Sequence, residues 1–451
     1  MPQLVVSTVA PPRSTRLRPL ELLVWSLAAL LVGNLDRIPV LSAGQHALPI
    51  VGNDIALALV VLAGFTAVVQ ARAVTMDRVL LAALVFAAVG GASAVAAVPR
   101  FGMPRTSLIV ALAYLARWLF YTMIYAVVIN CGKASDVPRL WRAIESMSLV
   151  FAAFGVVQAA LLPGFAQLVQ PDGHWDLQGH RLVSTVLDPN IAGAMLLIPL
   201  LVELAMIASG ARVSRWKPLL LTLAVAVTIS RSALLALFVG GLVVLAARGL
   251  SRRLLRFTAG ILILTVPTLP LLISFAARYG KFDPNGSAAA RLVTWALALR
   301  AFADHPLIGI GFNTWSFYQN RYGAIPDTPA AYSTDGGILF LAALTGIFGL
   351  CAYLWMVSSL VARCRRIWRD AGASPPERGL AIGVVASTVA IYVDSIFLNS
   401  MFSNFVMELV WIVWGLTFLV ARDLAARADG STASEPRIEA GADMLTTLRI
   451  S

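Results

Sequence analysis

Charge is scarce in this sequence. Only 13% of its 451 residues are charged, about half the ~25% of an ordinary soluble domain. With 59% hydrophobic residues and a mean hydropathy of +0.81, the chain is too apolar for a water-soluble fold. Cysteine and histidine are also rare, at 3 and 4 residues. Cys131, Cys351 and Cys364 lie in or beside apolar runs and show neither metal spacing nor a disulfide framework. His46, His174, His180 and His305 are scattered, and no HExxH occurs, so no metal site is expected. Segments of about ten residues alternating apolar and polar, the mark of a membrane β-barrel, are missing too. The net charge of +12 invites a nucleic-acid partner, but the arginines lie mostly in short joints between apolar runs. No nucleic-acid partner is expected from that placement.

What is present is a succession of apolar runs near twenty residues long. In lipid only helices and closed barrels satisfy the backbone internally, so the fold class is an all-α polytopic membrane protein. Twelve spans are predicted, at roughly 19–35, 51–70, 79–98, 106–130, 143–164, 190–208, 216–230, 232–247, 257–276, 335–361, 379–397 and 404–421. Basic clusters fall on alternate joints: Arg13 to Arg18, Arg72 and Arg78, Lys133 to Arg142, Arg212 to Lys217, Arg248 to Arg256, Arg363 to Arg378, and the tail. The positive-inside rule puts these joints and both termini in the cytoplasm. The N-terminus shows no cleavage pattern, so the first span is expected to stay in place. Residues 1–421 then form a membrane domain, and the polar stretch 422–451 a cytoplasmic, largely disordered tail.

The run PLLLTLAVAVTISRSALLALFVGGLVVLAA, Pro218 to Ala247, holds a single arginine. Basic clusters flank it on both sides, so one crossing would put one of them outside. The chain is therefore expected to go out and return, with Arg231 at the tip of a tight hairpin on the outer side. Ser230 and Ser232 suit a turn or a helix start. Arg117 and Glu203 lie within spans and are expected to form structural pairs with neighbouring helices.

Two outer joints are long. The first, about 165–189, holds His180 and Arg181 and ends in DPN, where Asn190 either caps span six or touches substrate. The second, about 277–334, is long enough to carry structure of its own, since loops beyond about 15 residues are usually functional or disordered. It includes the predicted helix SAAARLVTWALALRAFADHP, with Ser287 as a cap and Arg291, Trp295 and Ala298 on one face. The turn-rich GIGFNTW follows. His305 sits at the helix end. The outward side thus gathers Arg181, Arg231 and Arg291, with Asp335 where the chain re-enters the membrane. Arginine forks bind phosphate bidentately, and a carboxylate beside them can act as a general base. Trp315, Tyr318 and Tyr322 are candidates to stack on a ligand's apolar face or to serve as interfacial aromatics.

Four stretches in order carry a resemblance: RLVSTVLDPNIAGAMLLIPLL, TISRSALLAL, ARLVTWALALRAFADHPLIGIGFNTW and TDGGILFLAALTGIFGL. Together they resemble the bacterial O-antigen ligase and polymerase family, the Wzy/WaaL-type membrane glycosyltransferases. The resemblance covers about 180–350. It implies a GT-C-like membrane fold and a metal-independent, cofactor-free glycan transfer from an undecaprenyl-pyrophosphate carrier on the periplasmic face of the bacterial inner membrane. It implies catalytic roles for Arg231 and Arg291, which bind the pyrophosphate. The position of the family's ligase histidine falls on Asp335, which tilts the expectation toward a polymerase of polysaccharide repeat units and away from a ligase that delivers the glycan to lipid A core or another acceptor. Arg181, Asn190, His305, Asn313 and Trp315 complete the expected substrate-binding set. A flippase and a chain-length regulator are natural partners of a polymerase. A secondary transporter also fits twelve spans with both ends inside, but related halves and broken spans in matching positions are not seen.

Overall fold

The structure is a computed structural model that describes residues 18–43, 46–170, 179–249, 287–321, 336–430 and 446–449. The expected ninth span, 257–276, lies outside these residues. Among the described residues, the other eleven expected spans each correspond to an apolar helix. They are α1 (Pro19–Leu30), α2 (Gly52–Ala71), α3 (Arg78–Phe101), α4 (Arg105–Cys131), α5 (Val137–Leu161), α7 (Pro189–Ala208), α8 (Trp216–Val227), α9 (Arg231–Ala247), α12 (Ile338–Arg369), α13 (Pro375–Ser395) and α14 (Asn404–Ala428). Eight of them are long and apolar enough to cross a membrane, and α1, α8 and α9 are shorter apolar helices. The short α6 (Phe165–Val169), α10 (Ser287–Asp304) and α11 (Trp315–Arg321) belong to the two long joints. Strands β1 (Ile38–Ala43) and β2 (His46–Ile50) pair as an antiparallel hairpin between α1 and α2.

Local chemistry starts the helices where they begin. Asp77 caps α3, its carboxylate accepting from the Leu80 N–H. Asp188 caps α7, accepting from the N–H groups of Asn190 and Ile191, with Pro189 at the first helical position, where a missing N–H costs nothing. The cap is thus Asp188, while the Asn190 side chain is left to face the hairpin. Ser230 caps α9 through the Ala233 N–H, as the serines around Arg231 suggest.

Hydrophobicity sorts the helices by depth. The apolar windows of α7, α13 and α14 are 78%, 78% and 83% buried, against 17% for α2. Ile55, Leu59, Leu62, Phe65 and Val69 of α2 face outward at helical spacing, the pattern of a lipid-facing helix. Lipid tails are as apolar as leucine, so association inside a bilayer relies on close packing. Gly379 and Gly383 of α13 supply it: a Cβ on either would lie 2.4 Å from a backbone Cα of α7, at Met206 and Val202 respectively.

One end of the bundle is pinned by ion pairs. The buried Arg363 guanidinium of α12 meets Asp77, whose carboxylate, besides capping α3, also accepts from the Tyr125 hydroxyl at 2.5 Å. Arg363 also lies over the Tyr125 and Phe418 rings, 5.8 and 5.3 Å from their centroids. Lys217 reaches Glu145 at 2.6 Å, close to the fully buried Glu203 of α7. The tail departs from the expected disorder at two places. Helix α14 continues to Ala428, through the helix formers of RDLAARA, and Thr446–Arg449 pair as strand β4 with β3 (Ala73–Met76).

The large joint is anchored by a break in α12. Gly346 has φ 63 and ψ −165, a conformation essentially reserved for glycine. The opened backbone pairs with the segment after α10. The Ile347 and Phe348 N–H groups donate to the Pro306 and Leu307 carbonyls at 2.7 and 3.2 Å, and those of Ile310 and Gly311 to Ala343 and Leu344 at 2.9 and 3.0 Å. Ser93 and Arg100 of α3 hold the same strip from the other side, donating to the Leu344 and Gly309 carbonyls at 2.8 and 2.6 Å. A Cβ on Gly309 would meet the Leu344 carbonyl oxygen at 2.4 Å, and one on Gly346 the Leu307 carbonyl oxygen at 2.3 Å. The two glycines leave room for each other's backbones.

Candidate functional site

The opposite end of the bundle gathers the joints that the charge pattern assigns to the outer side. The Asn34 N–H donates to the Thr185 carbonyl at 2.9 Å, and the Leu182 N–H to the Val227 carbonyl at 3.0 Å. Gln170 donates to the Asn34 carbonyl at 2.6 Å. The Gly337 N–H, where α12 begins, donates to the Asn399 side chain at 3.3 Å. These bonds draw together the joints after α1, α5, α8 and α13 and the entry of α12, and of these the joints after α1 and α13 and the first turns of α12 line a cavity of about 400 Å³.

The cavity wall comes from elements far apart in the chain. Helix α4 contributes Tyr114, Arg117 and Trp118, which share a face by their spacing. The turn after α1 brings Arg37, and the joint into α14 brings Asn399, Phe402, Ser403 and Asn404. Phe312 and Asn313 close it from the large joint, Phe340 and Leu344 from α12, and Ile191 from the start of α7. Asn313 takes φ 55, a left-handed conformation that asparagine tolerates better than most residues. The wall is therefore aromatic faces, side-chain amides and two guanidiniums.

The two arginines differ. Arg117 donates to the Asp54 carboxylate at 2.6 Å. Asp54 is further held by the Tyr121 hydroxyl at 2.7 Å and the Val51 N–H at 3.0 Å. Arg117 thus forms the helix-to-helix pair expected of it, with its charge matched. Arg37 forms no ion pair with a carboxylate among the described residues. Burial lowers its pKa, Tyr114 opposes that, and repulsion from Arg117 adds to it. Behind the wall, Glu408 is fully buried and accepts from Asn53 at 2.6 Å and Ser26 at 3.1 Å.

A second cluster lies on the other side of the α7 start. Arg181 donates from Nε to the Thr228 carbonyl at 2.8 Å and from Nη2 to Asn190 Oδ1 at 3.5 Å. The Ser230 hydroxyl donates to the same oxygen at 2.8 Å. Arg231 is the first residue of α9, exposed at the hairpin tip. Burial lowers the Arg181 pKa, Asp188 opposes it and Arg231 adds to it, so the two guanidiniums repel each other across the hairpin. Arg181 and Asn190, picked from separate motifs, are therefore bonded, and Arg231 lies close enough to act on Arg181. Asn190 binds one side and its neighbour Ile191 lines the cavity.

The remaining expected residues separate. Arg291 lies near the start of α10, which runs over Ser287–Asp304 as its sequence indicates. Asp335 lies outside the described residues, next to Gly336 and two positions from the Gly337 contact with Asn399. Trp315 does not serve as an open stacking platform. It is 2% exposed, in a core with Ala298, Ala301, Ile310 and Tyr318, and supports the cavity wall through Phe340, 6.2 Å between ring centroids. His305 packs edge-on against Phe101 rather than lining the cavity. Its pKa is lowered by burial and by Arg100, while Asp304 opposes and Arg321 adds. Asp304 accepts from the Tyr318 hydroxyl at 2.8 Å, tying α11 to the end of α10. Arg37, Tyr114, Asn399, Ser403 and Asn404 escape the sequence reading. The polar NSMFSN joint is the local signal for Asn399, Ser403 and Asn404, and no local pattern marks Arg37 or Tyr114.

A bundle of membrane-length helices with an arginine-bearing, aromatic-walled cavity at one end defines a polytopic helical membrane protein. Residues 219–354 match the family model described as O-antigen ligase, in agreement with the Wzy/WaaL-type resemblance. The match runs from α8 through the hairpin and the large joint to the middle of α12. It supports a membrane enzyme that processes glycans. No curated protein matches the chain.

Proposed function

We propose that the protein is a glycosyltransferase of the bacterial inner membrane that polymerises undecaprenyl-pyrophosphate-linked repeat units on the periplasmic face. The observation that carries this reading is the grouping of the matched segment's Arg231 with Arg181 and Asn190 at the start of α7, whose next residue, Ile191, lines a sugar-sized cavity. In this reading Arg181, Arg231 and Arg291 hold the donor pyrophosphate, and the cavity holds the glycan next to it. An acceptor hydroxyl attacks the anomeric carbon, the bond from that carbon to the pyrophosphate oxygen breaks, and the pyrophosphate leaves with the electron pair. Asp335 takes the hydroxyl proton. Fixed guanidiniums aimed at the charge that grows on the leaving group lower the barrier by preorganisation.

The test is the glycan profile of cells lacking the gene, complemented with wild type, Arg231→Ala or Arg181→Ala. Single repeat units without long chains, rescued by wild type alone, support the polymerase. The family description favours a ligase as the second reading: long lipid-linked chains that fail to reach their final acceptor would establish it. Normal glycans in the deletion strain would overturn both.

A further inference from the structure

We propose that the cavity between α4, α12 and α14 selects an acidic sugar, one bearing a single carboxylate, with Arg37 as the residue that reads its charge. This rests on the glycan-transfer reading and names the substrate class of that site. Charge bookkeeping comes first. Arg117 is matched by Asp54 at 2.6 Å, so among the described residues the wall offers one cation without a carboxylate ion pair, Arg37. A single guanidinium fork suits one carboxylate, while a pyrophosphate carries more charge and finds the Arg181–Arg231 pair on the other side of the α7 start. The rest of the wall is suited to a pyranose. Asn313, Asn399, Ser403 and Asn404 present amides and a hydroxyl to sugar hydroxyls, and Tyr114, Trp118, Phe312 and Phe402 present ring faces to its C–H face. At about 400 Å³ the space lies in the range of small-molecule sites, about 300–1,000 Å³.

The experiment measures binding by the full chain in lipid nanodiscs to three probes: a uronic-acid disaccharide, its neutral hexose counterpart and undecaprenyl pyrophosphate. Wild type should prefer the uronate. Arg37→Gln should weaken the uronate by about tenfold or more, the scale of a lost charge-assisted hydrogen bond, while leaving undecaprenyl pyrophosphate bound. Arg37→Lys should keep most of the preference. Equal binding of uronate and hexose by wild type would overturn the inference and leave the transfer reading standing. So would an equal loss of undecaprenyl pyrophosphate by Arg37→Gln, which would make Arg37 a pyrophosphate anchor. If none of the three binds wild type, both readings fail. Arg37 is exposed, with its side chain outside the packed core, so both variants should elute as the wild type does.

Discussion

Replacing Gly346 by alanine tests how the large joint is held. At φ 63 and ψ −165 a residue with a Cβ is strained by roughly 1–3 kcal/mol. The new methyl would also start 2.3 Å from the Leu307 carbonyl carbon and oxygen, so one backbone must move. The bonds at risk are those from the Ile347 and Phe348 N–H groups to Pro306 and Leu307, each with a net value of about 0.5–1.5 kcal/mol. Together the loss is on the order of 2–6 kcal/mol, enough to dislodge the segment after α10 from α12. The measurement is the melting temperature of detergent-purified protein, with proteolysis of the joint as a second readout. Gly241→Ala is the control. It sits in α9 with nothing within 4 Å of an added Cβ, and alanine favours a helix interior by about 0.5–1 kcal/mol. Equal melting temperatures and equal protease resistance for the two variants would refute the account of the break.

Three further outcomes are expected. Asp54→Asn leaves Arg117 without its counter-charge, so anionic probes should bind the cavity more tightly by equilibrium titration, while stability falls by about 3 kcal/mol. Arg363→Met strands Asp77 in the core and should cost about 3–5 kcal/mol; adding Asp77→Asn, which removes the charge but still caps α3, should recover part of that in thermal melts. Burial, aided by Arg100 and Arg321 and opposed by Asp304, keeps the His305 pKa below its ordinary value. The unfolded chain therefore takes up this proton first, so stability is full above about pH 6.5. It declines as the pH falls toward the lowered folded value, and levels off below it. His305→Gln should flatten that decline in melts recorded from pH 7.5 to 5.

Hydropathy makes the spans legible because each helix must be apolar over a bilayer's thickness. Charge alternation makes the 218–247 hairpin legible because one basic residue cannot sit comfortably at mid-bilayer. The helix carrying Arg291 is readable for a local reason, its Ala- and Leu-rich stretch between Ser287 and Pro306. The cavity is not readable in this way. Arg37, Tyr114, Asn313 and Asn399 are separated by tens to hundreds of positions, and which helix faces meet is a tertiary outcome that no periodicity records. Trp315 shows the converse error: an aromatic residue in an outer joint looks like a sugar platform, yet α10 and α12 fold around it. The β1–β2 hairpin was also missed, since its proline-containing strands lack a clear alternation. The run of α14 past 421 was hidden by polar composition, which ends hydropathy without ending a helix.

The reciprocal glycines have a consequence for exchanging parts between related proteins. Residues 306–311 and the first turns of α12 complete each other's backbones, so neither is an independent loop or an independent helix. A graft of the large joint alone would bring carbonyls shaped for one break against a helix with another. A graft from α8 through residue 354 would carry both partners and their caps. The unit that can be moved intact, and with it the specificity, then begins at the hairpin and ends beyond Gly346, close to the boundaries at which the family match begins and stops.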